Sequence, residues 1–233
     1  SCGLVTSAGR LVLAHVVELP KVSADGPLSV TGGVKAEELL GMTENTDPIR
    51  GERVIAAIDM PSTDDGGQLV PLALGTRNGV VKRWNRESPT TMDSWSVIDL
   101  KDDDEVLAAA EARDEDRLVF VSTDSSLLTF EAKNVRPQGR TAGGMTGIRL
   151  AEGCWVAAFA VVPDGKVTWN YEEGENGLFS ASGAVVLTVA GDSEALPGTE
   201  NGAAKVTPLE MYPTKGRVRV ACVRSDSSRG RIR

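Results

Sequence analysis

Residues 133–150 contain four cations, four glycines and no acidic residue. The cations are Lys133, Arg136, Arg140 and Arg149, and the glycines are Gly139, Gly143, Gly144 and Gly147. Cations spread along a curved segment can neutralise successive phosphates of a polyanion. Glycines allow sharp turns and let backbone N–H groups approach phosphate oxygens closely. The pattern predicts contact with the backbone of duplex DNA, largely independent of base sequence. The alternative is a solvated loop whose glycines only satisfy turn geometry.

A second cationic stretch, RNGVVKRWNR at 77–86, also lacks acidic residues. Arg77, Lys82, Arg83 and Arg86 bracket a predicted hairpin turn, which would present them together at an outer edge for phosphate contact. Trp84 could stack on a base, but a tryptophan in a strand more often packs in the core or at the rim, which is the prediction here. Aromatic residues make up only 4% of the chain. That fraction is too small for a platform that stacks single-stranded bases.

The acidic residues are concentrated elsewhere. Residues 101–116 hold eight acids and two bases, in a chain whose formal net charge is -8. Because local charge decides what a surface attracts, this segment is expected on a face or rim away from DNA. A merely solubilising surface is the alternative. Its alanine and glutamate content would also suit a short helix, but the repeat described below favours a strand.

Catalytic and metal-binding patterns are missing from the sequence. Cys2, Cys154 and Cys222 are far apart, which argues against a zinc site or a disulfide framework and fits a reducing cytoplasm. The single histidine, His15, is predicted to be a packed or half-exposed strand residue. No apolar run approaches the roughly 20 residues of a membrane span. The first residues lack the features of a signal peptide, so we expect a cytoplasmic protein.

Four segments share a strand–turn–strand pattern that is typical of β-hairpins. They are residues 3–16, 72–84, 119–132 and 177–190, with turns predicted at 7–9, 77–79, 124–126 and 181–183. The third turn is predicted to be irregular, because Ser126 stands where the others have glycine. A further strand follows each of the first three hairpins, in 52–58, 104–110 and 154–160. This repetition predicts one all-β, propeller-like domain of about four blades.

With the repeats assigned, residues 133–150 resemble a known blade motif. The run V-R-x-x-G-R-T-x-x-G-x-x-G-I-R-L at 135–150 and T-x-x-G-x-V-K-R at 76–83 are similar to the C-terminal domain of the bacterial type IIA topoisomerase A subunit, the gyrase A and topoisomerase IV family. GRLVLAHVVELP (9–20) and KVTPLEMYPTKGR (205–217) match the outer-strand turns of such blades. The resemblance covers nearly the whole chain, up to about Arg217.

The resemblance implies a β-pinwheel, in which blades exchange strands and the outer rim binds, bends and wraps duplex DNA. It implies blades at about 1–60, 61–113, 114–163 and 164–217, the last one incomplete. It also implies a DNA-binding set made of Arg77, Lys82, Arg83, Arg86, Lys133, Arg136, Arg140, Arg149, Lys205, Lys215 and Arg217. The catalytic tyrosine, ATP and Mg²⁺ would belong to the rest of an ATP-dependent enzyme, whose B subunit would be a partner, so no cofactor is expected in this chain.

Two departures from the family pattern accompany the match. The basic glycine-rich box of gyrase members would lie before Ser1, so gyrase and topoisomerase IV both stay open. Cys154 stands where an Asp usually follows E-G. A protein-interaction scaffold without catalytic activity is the alternative function.

The tail at 218–233 lacks the glycines and apolar strand that would complete a blade. A one-nucleotide shift of a GC-rich back-translation of this tail gives a G-G-V-R segment that resembles the missing blade half. We therefore hypothesise that the tail is an out-of-frame end.

Overall fold

The computed structural model describes most of the repeat region. The described residues are 2–15, 33–41, 51–60, 69–89, 91–101, 103–173, 179–189 and 204–214, with single positions at 17, 19 and 21. Within them the chain forms sixteen β-strands and one four-residue α-helix, α1 (Ala36–Leu39), with short 3-10 turns after some strands. The predicted all-β class is therefore confirmed. The tail at 218–233 lies outside the described residues.

The strands follow the predicted repeat. They are β1 (Cys2–Thr6), β2 (Arg10–Ala14), β3 (Val54–Asp59), β4 (Leu72–Thr76), β5 (Val80–Trp84), β6 (Ser94–Ser96), β7 (Val106–Glu111), β8 (Arg117–Ser122), β9 (Leu127–Glu131), β10 (Pro137–Gln138), β11 (Met145–Thr146), β12 (Val156–Val162), β13 (Asn170–Glu173), β14 (Phe179–Ser182), β15 (Val185–Val189) and β16 (Ala204–Pro208). Strand β7 occupies the acidic segment, so the helix considered for that segment does not form.

Three sheets repeat one arrangement. The first has the order β3-β1-β2-β6, the second places β7, β4 and β5 side by side with β10 and β11 both on β5, and the third has the order β12-β8-β9. In each sheet the strand that follows a hairpin flanks the first strand of that hairpin. The opposite edge of the first two sheets is completed by a segment from further along the chain. This is the strand exchange that the resemblance implied.

The hydrophobic core lies between the sheets rather than within one of them. Leu11, Leu74 and Trp84 belong to a cluster shared by the first and second sheets. Phe120 and Phe159 belong to a cluster shared by the second and third sheets. The central strand β4 therefore buries residues on both faces, which accounts for its complete burial. The prediction that Trp84 packs in the core is confirmed.

Hydrogen bonds from the hairpin turns join successive sheets. The N–H of Val106, at the start of β7, donates to the carbonyl of Ser7 in the first turn at 2.8 Å. The N–H of Val156, at the start of β12, donates to the carbonyl of Arg77 in the second turn at 2.8 Å. The same bond thus recurs at two consecutive junctions, which makes the array regular.

The fourth predicted hairpin is wrong. Strand β14 pairs with β13, and β15 pairs with β16, so the two strands on either side of Gly183 lie in separate two-stranded sheets. Gly183 has φ +125°, and a Cβ there would lie 2.6 Å from the carbonyl oxygen of Thr168. The sequence pattern located a bend at Gly183 correctly, but the strands on either side of it pair with other partners.

The third hairpin turn has a different register from the predicted one. The turn residues Gly9, Gly79 and Ser125 each donate their N–H to the carbonyl three residues earlier, and all three have positive φ. Ser125, and not Ser126, therefore takes the glycine position, with φ 65°. A left-handed conformation costs a non-glycine residue about 1–2 kcal/mol.

We expect Ser125→Gly to stabilise the protein by up to about 1 kcal/mol, because the relieved left-handed strain exceeds the backbone entropy that glycine loses on folding. The midpoint of urea unfolding measures this change. Ser126→Gly is the matched control, since Ser126 does not have positive φ. Equal effects of the two substitutions would contradict the assignment of the turn.

Candidate nucleic-acid interface

Residues 133–150, which we call the basic edge, complete the outer side of the second sheet. Strand β10 pairs in parallel with the end of β5, with Pro137 opposite Arg83. Strand β11 pairs antiparallel with the start of β5, with Met145 opposite Val81. The intervening residues 139–144 form a loop beside Lys82, the β5 residue between these two pairings. The segment therefore lies along the whole of β5.

Two glycines of the basic edge are required by this close fit. Gly144 has φ +80°, and a Cβ there would lie 2.6 Å from the carbonyl oxygen of Val81. A Cβ on Gly147 would lie 2.9 Å from the ring of Phe120. The glycine pattern thus has a structural cause in packing, and its role towards phosphate stays a prediction.

Lys82 is buried beneath the loop of the basic edge. Its side chain is 0% exposed, and its Nζ donates to the carbonyl oxygens of Arg140 at 3.0 Å and Ala142 at 2.6 Å. Burial lowers the pKa of Lys82 to about 8, although the nearby carboxylates of Asp99 and Glu87 oppose this shift. The ammonium group therefore holds the backbone of the loop rather than a ligand.

Arg83 lies on the opposite face of β5 and is also buried, at 1% exposure. Its guanidinium donates to the carbonyls of Ala132 at 3.1 Å, Val135 at 3.2 Å and Ala112 at 2.9 Å, and to Oδ1 of Asp114 at 2.7 Å. These bonds fix the 3-10 turn at 132–134, from which the basic edge starts. Arg83 therefore has a structural role, because it holds the start of the basic edge against β5.

Arg86 is 5% exposed and links the second sheet to the first. It donates to Oε1 of Glu111 at 2.5 Å and to the backbone carbonyl of Asp59. The prediction that the hairpin presents Lys82, Arg83 and Arg86 at an outer edge is thus wrong. The basic edge covers one side of β5 and neighbouring sheets cover both of its faces. Buried and hydrogen-bonded, these three cations are not placed to contact phosphate.

Arg77, the fourth cation of this hairpin, is partly exposed but engaged. Its Nη1 lies 3.5 Å from Oε1 of Glu105, and its guanidinium lies 5.0 Å from the centroid of the Trp155 ring. Glu105 also binds Arg53, at 2.9 Å. Arg53 and Trp155 were not among the residues predicted from the sequence. Both immediately precede the strands that follow the hairpins, and this repeated position was the available signal.

The acidic segment flanks the second hairpin through β7, at the edge of the second sheet that is opposite the basic edge. Asp114 binds Arg83, Glu111 binds Arg86, and Glu105 binds Arg77. Oδ1 of Asp104 accepts the backbone N–H of Asn78 at 2.9 Å. The carboxylates thus neutralise cations that were predicted to contact DNA, which corrects the predicted presentation of these cations at an outer edge. The position of β7 at the sheet edge opposite the basic edge agrees with the prediction that the acidic segment lies on another face or rim.

The cations of the basic edge itself remain at the surface. Arg136 and Arg149 are exposed and Arg140 is partly exposed, and none of the three forms an ion pair within the described residues. Lys133 is exposed and binds Oε2 of Glu131 at 2.5 Å, a hydrogen bond that raises the pKa of Lys133 and lowers that of Glu131. Arg136 follows the part fixed by Arg83, and Arg140 lies in the loop fixed by Lys82. The structure thus brings three unpaired cations onto one sheet edge.

Of the three remaining predicted residues, only Lys205 is among the residues that the structure describes. Lys205 is exposed on β16, in a separate two-stranded sheet. Lys215 and Arg217 are outside the described residues. In the third sheet Thr129 forms a parallel bridge to Thr214. This bridge has the position that the Arg83–Pro137 pairing has in the second sheet.

Within the described ranges, no group of three or more His, Cys, Asp and Glu side chains is arranged to hold a metal ion. No helix in the same ranges is long and apolar enough to cross a membrane.

Comparison with protein families gives a match at the third sheet and the basic edge. The family described as "DNA gyrase C-terminal domain, beta-propeller" matches residues 116–163 and 198–218. The resemblance found in the sequence is confirmed. The chain is similar to the C-terminal domains of DNA gyrase A and topoisomerase IV.

The relatives agree with this assignment. The DNA gyrase A protein of Deinococcus deserti is 26% identical over 216 residues, which cover 91% of this chain and 22% of the relative. The gyrase A proteins of Staphylococcus epidermidis and Mycobacterium tuberculosis are each 28% identical, over 91% and 97% of this chain. The chain therefore spans about a fifth of the length of these gyrase A relatives.

The fold agrees as well. The crystal structure of the C-terminal domain of DNA topoisomerase IV superposes with a TM-score of 0.62 at 20% identity. The superposition covers 94% of this chain and 56% of that one. The predicted β-pinwheel fold class is thus confirmed.

The buried ammonium of Lys82 gives a pH-dependent prediction. Its pKa is about 8 in the folded protein and 10.5 ordinarily, so the unfolded chain holds the extra proton between these pH values. Raising the pH through this window should therefore stabilise the wild-type fold relative to Lys82→Met. The expected change is about 1.4 kcal/mol of unfolding free energy per pH unit.

Urea unfolding of both proteins from pH 7 to 10 measures this difference. Lys205→Met is the control, because Lys205 is exposed and its substitution should leave the pH dependence unchanged. A wild-type minus Lys82→Met difference that stays constant across pH 8–10 would contradict the burial of the ammonium group.

Proposed function

We propose that this chain is the duplex-DNA-binding module of a bacterial type II topoisomerase, and that it binds, bends and wraps DNA without base specificity. The observation that carries the proposal is the basic edge, on which Arg136, Arg140 and Arg149 lie at the surface and are unpaired within the described residues. The four cations of the second hairpin, by contrast, are buried or bound in ion pairs. The contrast singles out this edge as the surface that remains for phosphate.

The geometry of the edge suits a backbone contact. Strand β10 pairs with β5 at Arg83, and β11 pairs with β5 at Val80. These two points are three residues apart along β5, so β10 and β11 contact it about 10 Å apart. Arg136 precedes one end and Arg149 follows the other. Since a duplex carries one phosphate per strand about every 3.4 Å of axis, cations at this separation can reach several phosphates. Such contacts position a duplex without reading its bases.

The reaction itself is assigned to other parts of the enzyme. Tyr171 is exposed on β13, and Tyr212 packs against the third sheet beside Leu209. Neither tyrosine lies near the basic edge in the chain or the sheets. We infer that the catalytic tyrosine, ATP and Mg²⁺ belong to the remainder of the holoenzyme, that the B subunit of that enzyme is a partner, and that the protein acts on DNA in the bacterial cytoplasm.

A protein-interaction scaffold is the second candidate, and one feature favours it. Val185, Leu187 and Val189 alternate along β15 and are 42%, 61% and 63% exposed. Val206, opposite Leu187 on β16, is 57% exposed on the same face. An apolar face of this kind suits protein contact. Binding through it should be insensitive to salt, whereas DNA binding should weaken steeply as salt rises.

Charge reversal of the basic edge tests the proposed function. Arg136→Glu with Arg140→Glu should weaken duplex binding about equally for unrelated sequences. It should also flatten the dependence of log affinity on log salt by roughly 0.9 per lost phosphate contact. Fluorescence anisotropy with two unrelated duplexes at several salt concentrations measures both quantities.

The matched control is Arg113→Glu with Lys166→Glu, which changes the net charge equally at exposed positions outside the basic edge. The proposal requires a larger effect at the basic edge than in the control. If the Arg136/Arg140 variant binds and bends DNA like the parent, the basic edge is misassigned.

A further inference from the structure

The outer edges of the first and second sheets are built in the same way. Strand β6 pairs antiparallel with β2, with Ser96 opposite Arg10, and β11 pairs antiparallel with β5, with Thr146 opposite Val80. In both sheets the backbone N–H of the residue after this pair donates to the carbonyl of the glycine in the hairpin turn. Val97 donates to Gly9 and Gly147 donates to Gly79, each at 2.8 Å. Ser96 and Thr146 are therefore equivalent positions.

This equivalence places Asp99 where the basic edge has Arg149, since each lies three residues further on. The difference extends over the whole segment 85–100, which we call the acidic edge. Glu87, Asp93 and Asp99 are all exposed there. The cation of this segment, Arg86, is buried and bound to Glu111. Two equivalent edges thus present opposite charge to the solvent.

The two edges meet at the loop 139–143. A Cβ on Gly139 would lie 3.4 Å from Oε2 of Glu87. The backbone N–H of Asp99 donates to the carbonyl of Ala142 at 3.2 Å. Glu87 and Asp99 therefore lie within a Debye length, roughly 8–10 Å, of the loop that carries Arg140. A duplex that rests on Arg140 and continues over the first sheet would meet the acidic edge, which has the same place in that sheet as the basic edge has in the second. It would there face the carboxylates of Glu87, Asp93 and Asp99.

We propose that the acidic edge ends the DNA path on this domain. A duplex bound to the basic edge is repelled from the first sheet and continues instead towards the third sheet. The domain therefore bends DNA to one side of the basic edge only. This inference rests on the proposed function and adds a direction to the DNA path, which Glu87, Asp93 and Asp99 determine.

Converting the acidic edge into a basic one tests the proposal. The variant is Glu87→Lys with Asp93→Lys and Asp99→Arg, where the last substitution installs the residue found at the equivalent position 149. The bound path should lengthen, so that affinity continues to rise with duplex length beyond the point at which the wild type saturates. The salt slope should steepen by roughly 0.9 for each new phosphate contact, up to about 2.7 for three.

The control variant is Asp103→Lys with Glu172→Lys and Glu173→Lys, which makes the same charge change at exposed positions outside both edges. A neutral variant, Glu87→Gln with Asp93→Asn and Asp99→Asn, keeps the side-chain shapes and should also lengthen the bound path if the reversed variant does not fold. Circular dichroism checks the folding of each protein.

The outcomes separate the two proposals. If wild type does not bind duplex DNA in a salt-dependent way, the proposed function fails and this inference fails with it. If wild type binds but the acidic-edge variants saturate at the wild-type duplex length, only the inference is overturned. Equal lengthening in the control variant would also overturn it, because net charge rather than the acidic edge would then be responsible.

Discussion

The burial of two cations in β5 is the constraint on which the second sheet depends. An unpaired charge inside a protein is very costly, so Lys82 and Arg83 must each find several acceptors. Lys82 takes the carbonyls of Arg140 and Ala142, and Arg83 takes those of Ala112, Ala132 and Val135 together with Asp114. These acceptors lie on both sides of Arg136. The buried cations Lys82 and Arg83 thus fix the backbone of the segment that carries the surface cations Arg136 and Arg140.

Much of the fold follows from local sequence signals, because hairpins depend on residues that are close in the chain. Alternation and turn residues predicted the first three hairpins and the strands that flank them. The covering of β5 could not be predicted this way, since it comes from residues more than fifty positions later. A hairpin pattern by itself suggests an open edge, which is why the pattern placed Lys82 and Arg83 at the surface.

The candidate site shows the same division. The exposure of Arg136 and Arg149 agreed with the sequence pattern, whereas the pairing of the acidic segment with the hairpin required the three-dimensional structure. Glu105, Glu111 and Asp114 are separated from their partners by 25–31 residues. Net charge gives no information about such pairing. A chain of net charge -8 can therefore retain a locally cationic edge, because Glu105, Glu111 and Asp114 are paired with cations elsewhere in the second sheet.

The bonds from Val106 to Ser7 and from Val156 to Arg77 make each turn part of two sheets at once. Each of the first two sheets also takes its outer strand from the next repeat. The cooperative folding unit is consequently longer than the sequence repeat, in contrast to solenoids whose repeats meet only at flat interfaces. Loss of structure at one sheet would expose the edge of its neighbour, so the array should open from an end rather than in the middle. A bent ligand that contacts two neighbouring sheets would oppose their separation and so stabilise the junction between them.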